Sequence, residues 1–417
     1  MTATTSHTAG GLSRGLLFLM SAATGLAVAG NYFAQPLLDL IGRELAVGPS
    51  AAALLVTAAQ SGYALGLLLL VPLGDLMERR RLAVTLYAAT AVFLLVSALA
   101  PNGAVLMVST ALTALTSVGA QVVVPFAATL ADPAERGKVV GTVMTGLMLG
   151  LLLARTASGA LSELGGWRTI YWVGAALMAL MAVLLRVFLP RLGGDGPRQS
   201  YFALLRSTVT MFRLEPLLRW RAAIAALSLA TFSVLWTSLT FLLAGAPYAW
   251  SESAIGLFGL VGAVGALTAT VAGRLADRGL VQVVSGAGTV LLLASWAAMA
   301  AGASSLVFLL VGVVVLDLAH QAVLNSSQNV VYALRPEARN RINSAFMTVF
   351  FVGGAVGSAL GSLAWTYAGW TGVCVLGAAL SAGTVVLWVL ERVTVKRAAA
   401  KSSPTSIRTH LTTVKGD

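Results

Sequence analysis

The chain has 417 residues, of which 58% are hydrophobic and only 10% are charged, and its formal net charge at pH 7 is +12. About a quarter of the residues of an average soluble domain are charged, so this composition excludes a soluble globular protein with an ordinary surface. The positive charge suits cytoplasmic loops of a membrane protein better than nucleic-acid binding, and we expect no nucleic-acid partner. The single cysteine, Cys374, excludes an internal disulfide.

Apolar segments long enough to cross a hydrocarbon core of about 30 Å recur along the chain. They predict an all-α membrane protein whose twelve helices lie at 15–36, 50–72, 82–100, 104–130, 139–163, 170–189, 222–244, 254–272, 280–301, 305–332, 342–364 and 371–390. The first segment is longer than the core of a usual secretory signal, which favours an uncleaved span. The predicted domains are a six-helix bundle at 1–189, a cytoplasmic linker at 190–221, a second six-helix bundle at 222–390 and a disordered cytoplasmic tail at 391–417.

The two halves repeat each other at an offset of about 203 residues. Gly166-Trp167 returns as Gly369-Trp370, and Asp75 returns as Asp277. The same offset relates Pro133 to Pro336, Arg136 to Arg339, and Gly150, Ala154 and Ser158 to Gly353, Gly357 and Gly361. Duplicated six-span bundles are the architecture of secondary transporters, in which one substrate site lies between two rocking halves.

The basic residues predict the orientation in the membrane. With both termini in the cytoplasm, 24 of the 27 Lys and Arg residues lie on the cytoplasmic side, only Arg43 and Arg168 lie outside, and Arg155 lies within a span. Cytoplasmic loops carry the excess of Lys and Arg, so we expect cytoplasmic termini and an inner (plasma) membrane location.

The first span ends in the polar segment Asn31-Tyr32-Phe33-Ala34-Gln35-Pro36. Tyr32 and Gln35 are three residues apart and therefore share one face of a helix. Such side chains either contact a substrate or bond neighbouring helices to each other.

Two matched loops follow the second and eighth spans. The first contains Asp75 and Arg79, and the second contains Asp277 and Arg278. An Asp in such a turn can face a helix N-terminus and nearby arginines, where the helix dipole favours negative charge. A lone loop of this kind is best explained by topology and helix capping, but two matched copies favour a gating role on the cytoplasmic side.

The second loop, Gly273-Arg274-Leu275-Ala276-Asp277-Arg278-Gly279, resembles the loop signature of the major facilitator superfamily, roughly G-x-L-x-D-R-x-G-R-R. The first copy departs from it, with Val71 at the leading glycine and Glu78 at the later one. The resemblance extends over the whole chain through spans, duplication and linker. It implies the twelve-helix fold of two pseudo-symmetric bundles and a monomeric transporter of small molecules that acts in the lipid bilayer.

Small residues recur along span five at Gly141, Gly150, Ala154, Ser158 and Gly159. This spacing lets two helices approach closely. It is similar to the motif G-x8-G-x3-G-P-x2-G-G of facilitator exporters, which implies the antiporter branch and export. Arg155 stands where that family has proline, and Leu115 stands where many proton-linked exporters carry an arginine in span four. We therefore hypothesise that Arg155 takes over that arginine's electrostatic role.

Arg155 is the basic residue within a predicted span, which costs on the order of 3 kcal/mol or more without a partner. Asp317 in span ten is its obvious counter-ion, and the predicted depths of the two residues differ by about one helical turn. The resemblance implies that spans five and ten are neighbours. The pair is either a static ion pair or a coupling site that opens when Asp317 is protonated or an anionic substrate binds Arg155; we favour the second.

Span ten carries a polar stripe on one helix face. Asp317, His320, Gln321, Leu324 and Gln328 follow helical spacing, and Asn325 lies near the edge of the stripe. His320, one turn from Asp317, either shuttles protons or is a neutral, hydrogen-bonded packing residue. The resemblance implies that this span lines the central cavity. The predicted proton-coupling residues are therefore Asp317, Arg155 and His320.

Similar segments at the end of span one line the cavity of drug-exporter-like facilitators. The substrate-contact candidates are accordingly Asn31, Tyr32, Gln35, Gln321, Asn325 and Gln328. Span seven offers weaker candidates, which are Trp236, Thr231, Thr237 and Thr240.

The resemblance and the motifs together predict export of a small, partly apolar molecule by alternating access in exchange for protons. Two alternatives stay open: uptake or facilitated diffusion of an anionic metabolite, and a non-transporting receptor or scaffold. An enzyme is disfavoured, since no nucleophile–base pair, metal cluster or phosphate-binding loop is visible, and no cofactor or bound metal is expected.

Overall fold

A computed structural model describes residues 12–132, 135–191, 200–262, 278, 280–335 and 339–402. The side chains of Asp75 and of residues 339–340 and 398–402 lie outside this description. The described part of the chain is helical and has no β-strand.

The helices of the first half are α1 to α8. They span Arg14–Ala29, Leu38–Glu44, Pro49–Leu69, Arg79–Ala98, Gly103–Thr116, Gly119–Leu130, Arg136–Gly165 and Arg168–Phe188. Short 3-10 turns at Gly30–Tyr32 and Gln35–Leu37 lie between α1 and α2, and another at Val71–Asp75 follows α3.

The remaining helices are α9 to α14. They span Tyr201–Leu214, Pro216–Ala244, Glu252–Phe258, Val281–Ala301, Leu306–Leu334 and Arg339–Ser402. A 3-10 turn at Gly259–Gly262 continues α11. Helix α9 lies in the predicted linker, and α14 continues to Ser402, beyond the predicted start of the tail. The division into domains stays a prediction.

The described residues contain ten helical stretches that are long and apolar enough to cross a membrane. The longest, Arg341–Arg397, contains two predicted spans in one run. Its backbone turns at Ala368 and at Gly369, whose φ of 55° suits glycine because no Cβ crowds the carbonyl. The predicted eighth span begins with the apolar segment Glu252–Gly262, and the rest of it falls largely in 263–277, outside the described residues.

Apolar side chains cover the outside of the helices as well as the core. Phe18, Val92, Val187, Val311 and Val375 are about half exposed or more. Soluble proteins rarely leave so much contiguous apolar surface in water. In a bilayer these side chains face acyl chains, while the helices satisfy their own backbone hydrogen bonds.

The two halves meet along two helix pairs. Helix α3 packs against α14, and α7 packs against α11. Hydroxyl groups join the first pair: Thr57 Oγ1 donates to Ser358 Oγ at 3.1 Å, and Ser344 Oγ donates to the Leu67 carbonyl at 2.8 Å. These side-chain bonds form a polar seam between otherwise apolar bundles.

Candidate functional site

Arg155 of α7 lies where α7 meets α11 of the other half, with only 3% of its surface exposed. Its Nε donates a hydrogen bond of 2.8 Å to Gln35 Oε1. Its guanidinium carbon lies 3.9 Å from the ring centroid of Trp236 and 5.2 Å from that of Tyr32. Cation–π contacts are worth about 2 kcal/mol or more when desolvated, so two aromatic faces offset part of the cost of burying this charge.

Asp317 of α13 is equally buried, at 3% exposed. Its Oδ1 accepts a hydrogen bond of 3.3 Å from Trp236 Nε1. Among the ion pairs of the described residues, none joins Asp317 to Arg155. The indole of Trp236 therefore bridges the two charges: its ring faces the guanidinium and its N–H holds the carboxylate.

Gly262 leaves the space in which the two charges face each other. A Cβ on this glycine would lie 2.9 Å from Asp317 Oδ2 and 3.8 Å from Arg155 Nη1. Gly256 and Gly259, two turns and one turn earlier, bring the same segment against the backbone and side chain of Arg155. The site thus depends on three glycines at a spacing of three residues, which place the α11 segment against α7.

Irregular backbone brings the polar groups to this depth. The first span breaks into 3-10 turns between Gly30 and Leu37, and the α11 segment continues as a 3-10 turn after Phe258. Interrupted helices at membrane depth occur where backbone lines a cavity or is buried in protein. Here the break after α1 lets Gln35 offer its side-chain oxygen to Arg155 and its carbonyl to Thr240 Oγ1, at 2.7 Å.

The polar stripe of α13 faces several partners. His320 Nδ1 lies 2.8 Å from Ser228 Oγ, and its ring stacks between Phe232 and Phe350 at centroid distances of 4.8 and 5.9 Å. The hydrogen bond described for His320 is therefore with α10, and Asp317 bonds to Trp236 instead. Its role as a proton shuttle stays a prediction.

The other substrate-contact candidates lie away from Arg155 or have no contact with it among those described. Asn31 Oδ1 and Asn325 Nδ2 are buried with no hydrogen-bond partner among the described residues. Gln328 Nε2 lies 3.8 Å from Met347 Sδ, and Gln321 is partly buried. The structure brings Tyr32, Gln35 and Trp236 together around Arg155, whereas Asn325 and Gln328 lie two to three turns further along α13.

Residues that the sequence analysis did not select also line the seam. Gln121 Nε2 donates to Tyr63 Oη at 3.3 Å, and the Tyr63 ring lies 4.5 Å from that of Phe351 in the other half. Isolated polar residues in apolar spans were the available signal. The glycine spacing at 256, 259 and 262 was a second one.

A buried ion pair joins α10 to α14. Arg221 Nη2 lies 2.7 Å from Glu391 Oε1, with both side chains at most 1% exposed, and Ser285 and Gln282 accept further bonds from the guanidinium. Arg221 is one of the basic residues predicted on the cytoplasmic side, and Glu391 is the first residue of the predicted tail. Since every contact of this pair lies within the second half, it is suited to holding that bundle together.

The gating candidates are only partly described. Arg79 Nη1 donates to Thr129 Oγ1 at 3.0 Å within the first half, and Arg278 is exposed. Asp277 and the side chain of Asp75 lie outside the described residues. Their gating role stays a prediction.

Contacts between the halves close the opposite end of the bundle. Arg43 Nη2 pairs with Glu252 Oε1 at 3.0 Å, and the Ser50 and Thr366 hydroxyls contact each other directly. Ser362 Oγ also donates to the Ser50 carbonyl at 3.1 Å. The structure is therefore closed at this end, which the predicted orientation places outside the cell.

The small residues of span five pack on two sides of α7. A Cβ on Gly150 would overlap the backbone of Gly25 in α1, and one on Gly159 would overlap that of Glu252 in α11. Ser158 Oγ donates to the Phe33 carbonyl at 2.6 Å. Gly141 differs, since a Cβ there meets nothing within 4 Å. Close packing explains Gly150, Ser158 and Gly159, while Gly141 has open space.

This difference predicts the effect of two matched substitutions. Gly150→Val forces α1 and α7 apart, and we expect it to destabilise the folded protein by about 1–3 kcal/mol or more. Gly141→Val should change stability by less than about 0.5 kcal/mol. Thermal unfolding of both purified variants in the same detergent measures the difference; equal losses would contradict this packing account.

The described residues contain no group of three or more His, Cys, Asp or Glu side chains that could hold a metal ion. The site instead consists of one acid, one base and an aromatic bridge, buried between two helical bundles that face lipid. Such a fold and site define a multi-pass membrane transporter.

Comparison with known proteins identifies the family. The model of the Major Facilitator Superfamily matches residues 20–280 and 223–416, so the chain belongs to this superfamily. An uncharacterized transporter, YgaY, of Escherichia coli O157:H7 is 50% identical over 377 residues, which cover 90% of this chain and 95% of that protein. The predicted fold of two six-helix bundles is thereby confirmed.

Two further similarities are more limited. A chloramphenicol efflux pump of Mycobacterium tuberculosis strain H37Rv is 34% identical over 116 residues, or 28% of each chain. The crystal structure of a bacterial homolog of the human lysosomal transporter Spinster, in an inward-facing and occupied conformation, has a TM-score of 0.70. It is 16% identical and covers 90% of this chain and 94% of that one. The latter similarity concerns the fold alone.

Proposed function

We propose that this transporter exports a small, partly apolar molecule from the cytoplasm by alternating access, in exchange for protons. It acts as a monomer in the inner membrane with both termini in the cytoplasm, as the distribution of basic residues predicts. The spacing of small residues in α7 and the local similarity to an efflux pump support export and a contribution to drug resistance.

The observation that carries this proposal is the buried Asp317 carboxylate. It accepts one bond from Trp236 and has no direct ion pair among those described. An intramembrane acid in a seam between two domains marks an ion pathway more often than a structural contact. Its proximity to Arg155 makes the charge of the site sensitive to a single proton.

Proton binding and substrate binding would favour different states. Loss of the Asp317 charge leaves Arg155 and its aromatic partners without a nearby anion, which changes the relative stability of the two arrangements of the halves. Deprotonation restores that anion. Coupling requires that proton and substrate differ in affinity for the two states, because a ligand shifts an equilibrium only through such a difference.

The side chains around the pair indicate the chemistry of the substrate. Tyr32 and Trp236 present aromatic faces to Arg155, Phe232 lies 6.0 Å from Trp236, and Gln35 supplies an amide. Asn31 and Gln321 stay predicted sources of further amides. Pockets of this kind bind mainly through apolar surface, with a few polar groups that fix orientation. A flat, partly apolar molecule with a few hydrogen-bonding groups is the expected substrate.

The direct test is a compound screen in a host that lacks its own efflux pumps. Cells that express the chain should accumulate less of at least one compound than cells that carry the Asp317→Asn variant, and a protonophore should abolish the difference. Equal accumulation in cells with and without the chain for every compound, with folded protein in the membrane, would contradict export.

A second candidate function is uptake or facilitated diffusion of an anionic metabolite. It is favoured by Arg155 Nη2, which is buried and has no hydrogen-bond partner among the described residues. A substrate carboxylate or phosphate would supply that partner with a charge-assisted bond. Substrate accumulation in expressing cells, insensitive to a protonophore, would select this function over export.

Alternating access predicts that the closed outer end must open. Cysteines at positions 50 and 366, in a background with Cys374→Ala, should form a disulfide under mild oxidation because the native hydroxyls touch. We expect transport to stop on oxidation and to return on reduction. The Ser50→Cys variant alone is the control, and full transport by the cross-linked protein would contradict opening at this end.

A further inference from the structure

A basic cleft lies where α4 begins and α8 ends, at the end of the bundle that the charge distribution places in the cytoplasm. Its cavity volume is about 580 Å³. The cleft is lined by four arginines and one glutamate above Val84 and Thr85: Arg80, Arg81, Arg186, Arg191 and Glu78. None of these residues takes part in the transport site described above.

Within the described ranges, the positive charge of this basic cleft is only partly neutralised. None of its arginines appears in an ion pair among the described residues. Arg80 is held in place by its bond to the Leu189 carbonyl at 2.9 Å, whereas Arg81, Arg186 and Arg191 are exposed. Glu78 Oε1 is buried without a hydrogen-bond partner. Four guanidinium groups thus face a single carboxylate.

An apolar surface adjoins the basic cleft on α8. Val183, Val187 and Phe188 are each at least 60% exposed, within one turn of Arg186. In a bilayer these side chains contact acyl chains just beneath the headgroup region. The cleft therefore combines a cationic pocket with a lipid-facing wall.

Comparison of the two halves shows that the four arginines of the cleft are not required at every cytoplasmic helix end. At the offset of 203 residues, the four arginines correspond to Val283, Val284, Val389 and Thr394. The second half keeps the same helices and ends in the same predicted compartment, yet it has no basic residue at these positions. Topology alone would not concentrate the arginines around one cavity of one half.

We propose that the basic cleft binds the headgroup of an anionic phospholipid of the surrounding leaflet. Guanidinium groups bind phosphate oxygens through paired, charge-assisted hydrogen bonds, and basic pockets between helices on the cytoplasmic side suit anionic headgroups. The N-terminus of α4 has no side-chain cap, and its dipole adds to the attraction. The acyl chains then lie along Val187 and Phe188.

The test measures binding of a fluorescent phosphatidylglycerol to the full-length protein in uncharged detergent. Arg81, Arg186 and Arg191 are all replaced by Gln in one variant, while Arg392→Gln, Lys396→Gln and Arg397→Gln form a control with the same charge change at the end of α14. We expect the first variant to bind roughly 100-fold more weakly and the control to bind as the wild type does. Glu78→Gln should bind more tightly, since it removes the negative charge found among the described lining residues of the cleft.

Competition identifies the ligand. Unlabelled phosphatidylglycerol should displace the probe, whereas phosphatidylcholine and soluble glycerol phosphate should not. The proposal is overturned if both triple variants weaken binding equally, if Glu78→Gln leaves binding unchanged, or if glycerol phosphate competes as well as the lipid. Because binding is measured without transport, the result is independent of the proposed export function.

Discussion

Replacing Asp317 by asparagine is expected to abolish proton-driven efflux in inverted membrane vesicles. The amide keeps the shape of the side chain and can still accept the Trp236 bond, but it neither carries a charge nor binds a proton near neutral pH. The variant is therefore locked in the electrostatic state of the protonated acid. Substrate exchange without net proton movement should continue, because the aromatic and amide contacts remain.

A second buried acid provides the control for this substitution. Glu391→Gln removes the partner of Arg221 and should lower stability by about 3–5 kcal/mol, as expected when one member of a buried pair is lost. The fraction that stays folded should nevertheless transport with the wild-type pH dependence. If Asp317→Asn retains wild-type proton-driven efflux, or if Glu391→Gln loses its pH dependence in folded protein, Asp317 is not the coupling site.

Substitution of Arg155 should have the next largest effect, and it should affect both stability and transport. Arg155→Gln leaves Asp317 as an uncompensated buried charge and removes the cation over Trp236 and Tyr32. We expect a loss of about 3–5 kcal/mol in the free energy of unfolding. The double variant Arg155→Gln with Asp317→Asn should recover much of that stability because no lone charge remains, yet it should not transport against a gradient.

Arg155→Lys separates charge from geometry. The planar guanidinium of Arg155 stacks on Trp236 and at the same time donates from Nε to Gln35. A lysine keeps the positive charge but cannot make both contacts. We expect a folded protein with strongly reduced transport. Thermal unfolding and vesicle transport of the three Arg155 variants test the prediction, and normal transport by both Arg155→Gln and Arg155→Lys would contradict it.

The sequence predicted the architecture because its signals are long and repeated. A duplicated pattern at an offset of 203 residues and apolar runs of roughly 20 residues admit few other folds. The difference between the twelve predicted spans and the ten stretches of the structure has local causes. One stretch runs through the turn at Ala368 and Gly369, and the eighth span falls largely outside the described residues.

The site was predictable in composition but not in detail. Counting along the helices predicted depths for Arg155 and Asp317 that differ by about one helical turn, and the structure brings both to Trp236. The bridging position of the indole could not be predicted, since it depends on the rotation of α10 about its axis. The bond between His320 and Ser228 could not be predicted for the same reason, since it also depends on the rotation of α10.

Breaks in helices are a further limit of sequence patterns. Gln35 reaches Arg155 because the first span is interrupted between Gly30 and Leu37, whereas the periodicity predicted one continuous helix. Gly262 matters only because α11 lies against α7. The sequence around a glycine does not show which helix packs against it. Contacts between the halves therefore could be found only from the structure, whereas the residues that share one helix face could be predicted from the sequence.

The most direct measurement of the proposed coupling is proton movement driven by substrate in proteoliposomes. Purified protein is reconstituted with an internal pH dye, and a gradient of a compound from the screen is imposed across a membrane held at zero potential. The account predicts that protons move opposite to the substrate with the wild type and do not move with Asp317→Asn. Proton movement in the same direction as the substrate, or none with a wild type that transports, would contradict proton antiport.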